Sequence, residues 1–214
     1  GSLDARLRPD GEKGPLVAPL SAYESYYRDR AQLWEIQALT RARPICGPLK
    51  SEYLETVQQI WRQTGKQPEL FAKIDAMLER IQRERSSGTD FLDFKTGVGG
   101  MIEAEFLVQA LQMRSGTWEP NWHGAMKQLR DDDAISEMDA EKANTSYTLL
   151  RRCETVLRRF ETKSVSTLPA DAHEQRKVAI WLSYNDAELF ASEYRRARET
   201  IHALYAQYIK PRAA

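Results

Sequence analysis

Gly99-Gly100-Met101-Ile102-Glu103-Ala104-Glu105-Phe106-Leu107-Val108-Gln109-Ala110-Leu111-Gln112-Met113-Arg114 is the stretch whose reading decides the fold. Its apolar residues, Met101, Ile102, Ala104, Phe106, Leu107, Val108, Ala110, Leu111 and Met113, point nearly all round a helical wheel at about 100° per residue. A helix apolar on every side is buried on most of them. Glu105, Gln109 and Gln112 make one narrow polar stripe, and Glu103 lies almost opposite. Both acids are therefore wedged among apolar neighbours, where an ionised carboxylate is costly without a partner. Arg30, Arg41 and Arg43 are candidate partners. Such a pair is either architectural or part of a substrate contact.

Working outward, Gly97-x-Gly99-Gly100 enters this helix. Free N–H groups there could cradle a phosphate. The simpler reading is that glycines permit a tight entry into a buried helix. Upstream, Ser51–Gln63 and Pro68–Arg85 read as helices, with Ser86-Ser87-Gly88-Thr89 as a loop. Earlier still, Ser21 and Glu24 form a capping box, and a single helix is expected from Ser21 to about Arg43, limited by Pro44. Tyr23, Tyr26, Tyr27, Leu33, Trp34 and Ala38 share one of its faces, with Arg30, Gln37 and Arg41 on that same face. An aromatic stripe of this spacing is core rather than a stacking platform. Downstream, a short helix runs from Glu119-Pro120-Asn121 to about Arg130, and Ser136 and Asp139 cap one reaching about Thr162. Ala172–Leu182 and Ala187–Ile209 follow, the last capped by Asn185 and Glu188. The sum is a mainly α chain, a bundle of roughly eight helices.

The N-terminal head differs. Leu3-Asp4-Ala5-Arg6-Leu7-Arg8 alternates as a half-buried strand does, with Asp4, Arg6 and Arg8 on one face. Pro9-Asp10-Gly11 ends it as a turn. Pro15-Leu16-Val17-Ala18-Pro19 is expected to form a second edge strand.

Composition narrows the function classes. Over 214 residues, 31 basic side chains balance 31 acidic ones, which argues against a polyanion-binding protein and sets nucleic acid aside as a partner. No apolar run approaches the ~20 residues of a membrane span, so no membrane partner is expected. Cys46 and Cys153 lie far apart and form no metal pattern, as in a reduced, cytoplasmic protein. His123, His173 and His202 fall singly on separate helices and read as surface or capping residues. Asp131-Asp132-Asp133 contains a formal D-x-D, but it separates two helices, where acids near a helix N-terminus are favoured anyway.

Three stretches together resemble one family. Leu3-Asp4-Ala5-Arg6-Leu7-Arg8-Pro9-Asp10-Gly11, followed by Gly14-Pro15-Leu16-Val17, resembles "vDxRLRPxG…GxLV". Trp34-Glu35-Ile36-Gln37-Ala38-Leu39-Thr40-Arg41-Ala42-Arg43 resembles "WExQALxRAR", and Gly99 to Gln109 resembles "GGIxDIEFxxQ". Tyr147-x-x-Leu150-Arg151-Arg152 and Thr167-Leu168-Pro169 continue the likeness. The family is the glutamine synthetase adenylyltransferases (glutamate–ammonia-ligase adenylyltransferases).

The resemblance implies a polymerase-β-like nucleotidyltransferase domain followed by a helical bundle, with residues 1–20 as the trailing strand or strands of the first and 21–214 as the second. It implies transfer of AMP from ATP to a tyrosine of glutamine synthetase, which a second, similar half of the enzyme reverses by phosphorolysis. Three carboxylates would hold two Mg²⁺ ions that stabilise the attacking and leaving oxygens. Asp4 matches the third of these; the other two belong to a G-S…D-x-D segment with no counterpart in these residues, so the chain alone is expected to be inactive. Arg6 and Arg8 match arginines placed to meet phosphate or brace the carboxylates. Arg41, Arg43, Glu103 and Glu105 are further substrate- or phosphate-binding candidates. Glu103 stands where the family has Asp, and Ile36 where one half often has His. The motifs mix features of both halves, so the direction of reaction stays open. Two alternatives remain: a uridylyltransferase acting on a PII-type signal protein, and a non-enzymatic helical interaction module.

Overall fold

A computed structural model of the chain describes residues 8–85, 91–160 and 165–210. Among the described residues there are nine α-helices and no sheet: α1 (Leu20–Asp29), α2 (Leu33–Ala38), α3 (Lys50–Gly65), α4 (Leu70–Arg85), α5 (Met101–Ser115), α6 (Trp122–Asp131), α7 (Glu137–Phe160), α8 (Ala172–Trp181) and α9 (Ala187–Tyr208). The chain is a mainly α bundle, as its periodicity predicts.

α5 runs through the middle, against α3, α4, α6, α7 and α9. Leu107, Val108, Ala110, Leu111 and Met113 face a core shared with α1 to α4, α6, the start of α7 (Ala140, Ala143) and the C-terminal end of α9. Met101 and Ala104, at its other end, face a second core made with α7, α8 and the first half of α9. Trp122 packs against both cores. The helix is buried on most sides because no other arrangement hides an apolar surface that wraps the whole cylinder.

Local chemistry sets the helix ends. The Asn121 side chain accepts the Gly124 N–H at 3.0 Å to start α6, and Asp171 accepts from His173 and Glu174 to start α8. Ser136 Oγ accepts the Asp139 N–H at 3.1 Å, as its spacing predicts. Asp186, one residue beyond the expected Asn185, starts α9 by accepting the Glu188 N–H. Gly116, at φ +80°, closes α5 in the left-handed region, and its N–H reaches Gln112 O at 2.8 Å. Gly65 lets α3 lie directly on the α5 backbone: a Cβ there would sit 1.8 Å from the Met113 carbonyl oxygen.

Three expectations fall differently. The single helix over 21–43 is two helices and a 3-10 turn (Leu39–Arg41), with a break at 30–32. Glu35 accepts the Gln32 N–H at 2.7 Å, the return arm of a capping box, so α2 begins afresh there. Ser21 caps nothing; Pro19 stands at the start of α1. The second correction concerns Pro15–Pro19, which is not a strand: Leu16 and Val17 are 77% and 87% exposed, with no partner strand among the described residues. Third, the strand proposed over Leu3–Arg8 falls almost wholly on residues 1–7, outside the described residues. Arg8 is described, in a turn. The Pro9-Asp10-Gly11 turn is present, with Gly11 N–H bonded to Arg8 O at 2.8 Å.

Candidate functional site

The cleft between α2, α5 and α7 gathers the residues that sequence reading places far apart. Gln37, buried on α2, donates through Nε2 to Gln109 Oε1 on α5 at 2.7 Å. One turn on, Arg41 Nη2 pairs with Glu105 Oε2 at 2.6 Å. The Tyr147 hydroxyl of α7 donates to Glu105 Oε1 at 3.0 Å. Burial and the Glu105 charge raise the Tyr147 pKa, with Arg151 and Arg41 opposing, so the phenol stays protonated and donating. The Tyr147 ring stacks on Trp122 at 4.0 Å between centroids. The resulting cleft, of about 240 Å³, is lined by Arg41, Glu105, Gln109, Gln112, Asn121, Trp122, Tyr147 and Arg151 among others.

This arrangement follows from the helix wheel. Glu105 and Gln109 are one turn apart on the polar stripe of α5, and Gln37 and Arg41 are one turn apart across α2 and the 3-10 turn. Two residues from each side therefore meet in register. Of the three candidate partners for the α5 acids, Arg41 is the one that reaches. Arg30 opens the break and pairs instead with Asp10 Oδ1 at 2.9 Å, over the Tyr26 ring. Arg43 is exposed and has no ion pair among the described residues.

Glu103 does something different. Its Oε2 accepts the Gly99 N–H at 2.7 Å and Gln82 Nε2 at 3.0 Å, and its Oε1 meets His202 Nδ1 at 2.7 Å. The glycine turn thus already holds an anion, and that anion is the chain's own Glu103. Gly99 sits at φ +71°, where a Cβ would come within 2.1 Å of Arg198 O. Arg198, buried on α9, clamps the same loop through the carbonyls of Val98 and Phe91. Gly97-x-Gly99-Gly100 is a tight entry fixed to α9 and offers no open phosphate cradle. The His202 side chain is 43% exposed, as a surface residue is, and it is also the partner of a buried carboxylate that lies 99 positions away, beyond any local signal. His123, by contrast, is an exposed partner of Asn144.

Arg8 braces its own turn, donating to Gly14 O at 3.1 Å and Glu12 O at 3.2 Å. Asp4 and Arg6 lie outside the described residues. Asp131 pairs with neighbouring Arg130, and Asp132 accepts from the Thr117 hydroxyl, both on the surface. Among the described residues no three His, Cys, Asp or Glu side chains converge as metal ligands, so these helices do not themselves make a site that fits Mg²⁺. Cys46 and Cys153 are both free; burial pushes the Cys153 thiol up to about 12, against Arg152, which leaves it inert at neutral pH. No described helix is long and apolar enough to cross a membrane.

Residues 2–58, which carry Gln37 and Arg41, match a family model described as glutamate-ammonia ligase adenylyltransferase. Residues 69–209, which carry Glu105, Gln109 and Tyr147, match one described as GlnD PII-uridylyltransferase. The chain belongs to the glutamine synthetase adenylyltransferase family. Its helical body, 69–209, belongs to the family of the second description. Among its relatives, the bifunctional glutamine synthetase adenylyltransferase/adenylyl-removing enzyme of Streptomyces avermitilis is 31% identical, over 82% of this chain and 18% of its own length. The enzyme of the same description from Nocardia farcinica is 32% identical over 81% of this chain and 18% of its own. That of Mycolicibacterium smegmatis is 30% identical, with the same coverage. The chain thus spans under a fifth of the length of these relatives. The three stretches on which the family resemblance rests divide accordingly: two meet at the cleft, and Leu3 to Leu7 of the first lie outside the described residues.

Proposed function

We propose that this chain is the helical part of an enzyme that attaches AMP from ATP to a tyrosine of glutamine synthetase, or removes it, in the cytoplasm. The observation that carries the reading is the double tie of Gln37 to Gln109 and Arg41 to Glu105, which joins two of the family's motifs in one cleft. Residues 1–20 are then the trailing edge of the catalytic domain and 21–214 the bundle. Asp4 holds Mg²⁺ together with carboxylates outside these residues, and Arg6 and Arg8 brace that edge or meet phosphate. Arg41 and Glu105 face the substrate side. Glu103 serves as a staple for the loop before α5, which leaves Arg43 as the remaining exposed candidate. One carboxylate does not assemble a two-metal site, so the 214-residue chain by itself is expected to transfer no AMP.

The test uses glutamine synthetase, ATP and Mg²⁺ with this chain and with a longer protein that carries it. Transfer by the longer protein, abolished by Asp4→Ala, is the expected result; transfer by the 214 residues alone, or full turnover in the Asp4→Ala enzyme, would refute the assignment. Uridylyl transfer to a PII-type signal protein is the second reading, favoured by the match over 69–209. The relatives that align across four fifths of the chain are described as glutamine synthetase adenylyltransferases, which puts adenylyl transfer first.

A further inference from the structure

The polar cleft presents two arginines in one posture. Arg41 is held from behind by Glu105 at 2.6 Å, and Arg151 by Glu154 at 2.7 Å. Both carboxylates are largely withdrawn from water, with side chains 17% and 6% exposed, whereas the arginines are about half exposed. A guanidinium has five N–H donors in a rigid fork. Here one nitrogen of each is fixed to a carboxylate, Nη2 of Arg41 and Nη1 of Arg151, which aims the rest of the fork. Glu154 is shared among Arg151, Arg158 and Lys95, so it leaves the Arg151 charge incompletely balanced.

Of the two acids that line the cleft, Glu105 is fully engaged and Glu119 is turned into its own loop through one oxygen. Glu105 uses both oxygens, one on Tyr147 and one on Arg41. Glu119 Oε1 accepts the Asn121 N–H at 2.7 Å within its own loop. Arg41, Tyr147 and Arg151 all line this one cleft. Size decides what fits. A cleft of about 240 Å³ falls below the ~300–1,000 Å³ typical of pockets for drug-sized ligands, so it suits one anionic group better than a whole nucleotide.

We infer that Arg41 and Arg151 form an oxyanion clamp in this cleft, which takes the phosphate or carboxylate group of a small ligand. This rests on the assignment of Arg41 to the substrate side, and it adds Arg151, which faces the cleft from α7. Planar forks suit two-oxygen recognition of either group. A ligand seated there would tie the 3-10 turn after α2 to α7 across α5.

The test is an NMR titration of the 214-residue chain, following the arginine Nε–H signals at constant ionic strength, with inorganic phosphate and separately with succinate. Saturable shifts of Arg41 and Arg151 are expected. Arg41→Gln and Arg151→Gln should each weaken binding at least about tenfold, or ~1.4 kcal/mol. Arg158→Gln, which shares Glu154 but does not line the cleft, should leave binding unchanged. Saturation by phosphate alone identifies a phosphate group as the ligand, and saturation by succinate alone a carboxylate; either supports the clamp. Shifts that do not saturate, or binding that survives both cleft substitutions, overturn it. Because the readout is binding by this chain, it fails or succeeds separately from AMP transfer by the longer enzyme.

Discussion

Gly65→Ala tests the closest helix contact in the bundle, and the sign of its effect is diagnostic. Gly65 ends α3 with an ordinary helical backbone, so an alanine meets no φ penalty. Helix propensity alone would make the change favourable by up to ~1 kcal/mol. Packing says the opposite. The added Cβ would lie 1.8 Å from Met113 O and 2.6 Å from Met113 C, where real Cβ atoms essentially never come within 3.0 Å. The shortfall is at least 1.2 Å against α5 backbone, which has no rotamer to swing aside. Overpacking of this kind costs roughly 1–3 kcal/mol, and a backbone obstacle belongs at the top of that range. After the propensity gain, a net loss of about 2 kcal/mol remains, which in a domain of this size lowers Tm by roughly 4–8 °C. Thermal and urea melts of the two proteins side by side measure it. A Tm that is unchanged or raised would refute the contact and with it the seating of α3 on α5.

Two further outcomes follow from buried acids. Asp75 has its pKa raised, mainly by burial, with Glu79 and Glu103 adding to the effect and Lys210 and Tyr205 opposing it. Its Oδ1 and the Tyr205 hydroxyl are buried without a hydrogen-bond partner, though each acts on the other's ionisation. A carboxyl whose folded pKa exceeds its unfolded one is a cost when ionised. That cost is complete above the folded pKa and disappears below the unfolded value near ~3.9. Asp75→Asn should therefore raise Tm at neutral pH by ~1–2 °C, a screened effect at a partly buried position, and the advantage should vanish in melts near pH 3; a loss of stability at neutral pH would contradict the sign. Glu103→Ala should cost about 3 kcal/mol by orphaning the Gly99 N–H, Gln82 and His202 together. Hydrogen exchange at the Gly99 amide should quicken in that variant, and an unchanged exchange rate would show that the loop does not depend on it.

Periodicity was a good guide where a helix is long and its ends carry local caps. α5 is legible because an apolar surface on all sides admits one placement, and α7 because Ser136 marks its start. The same reasoning misled at 21–43. There the 3.6 period runs on smoothly past Asp29, and the Gln32–Glu35 cap that restarts the helix competes with an equally plausible Ser21–Glu24 box. The break turns Trp34 outward, half exposed, where a continuous helix would bury it. In the cleft, the polar stripe of α5 gave Glu105 and Gln109, and counting turns gave Arg41. Choosing among Arg30, Arg41 and Arg43 needed the true position of the break. Tyr147 and His202 come to the α5 acids from helices distant in sequence, and no spacing rule links residues 42 or 99 positions apart.

The sharing of α5, α7 and α9 between the two cores bears on how this chain can change over evolutionary time. A helix that walls one core can drift as long as its single partner follows. A helix such as α5, α7 or α9 answers to neighbours in both cores, and a compensating change on one side does nothing for the other. Substitutions should therefore accumulate in α1 and α8, which each serve one core, and α5 should hold its residues while the rest of the family diverges around it.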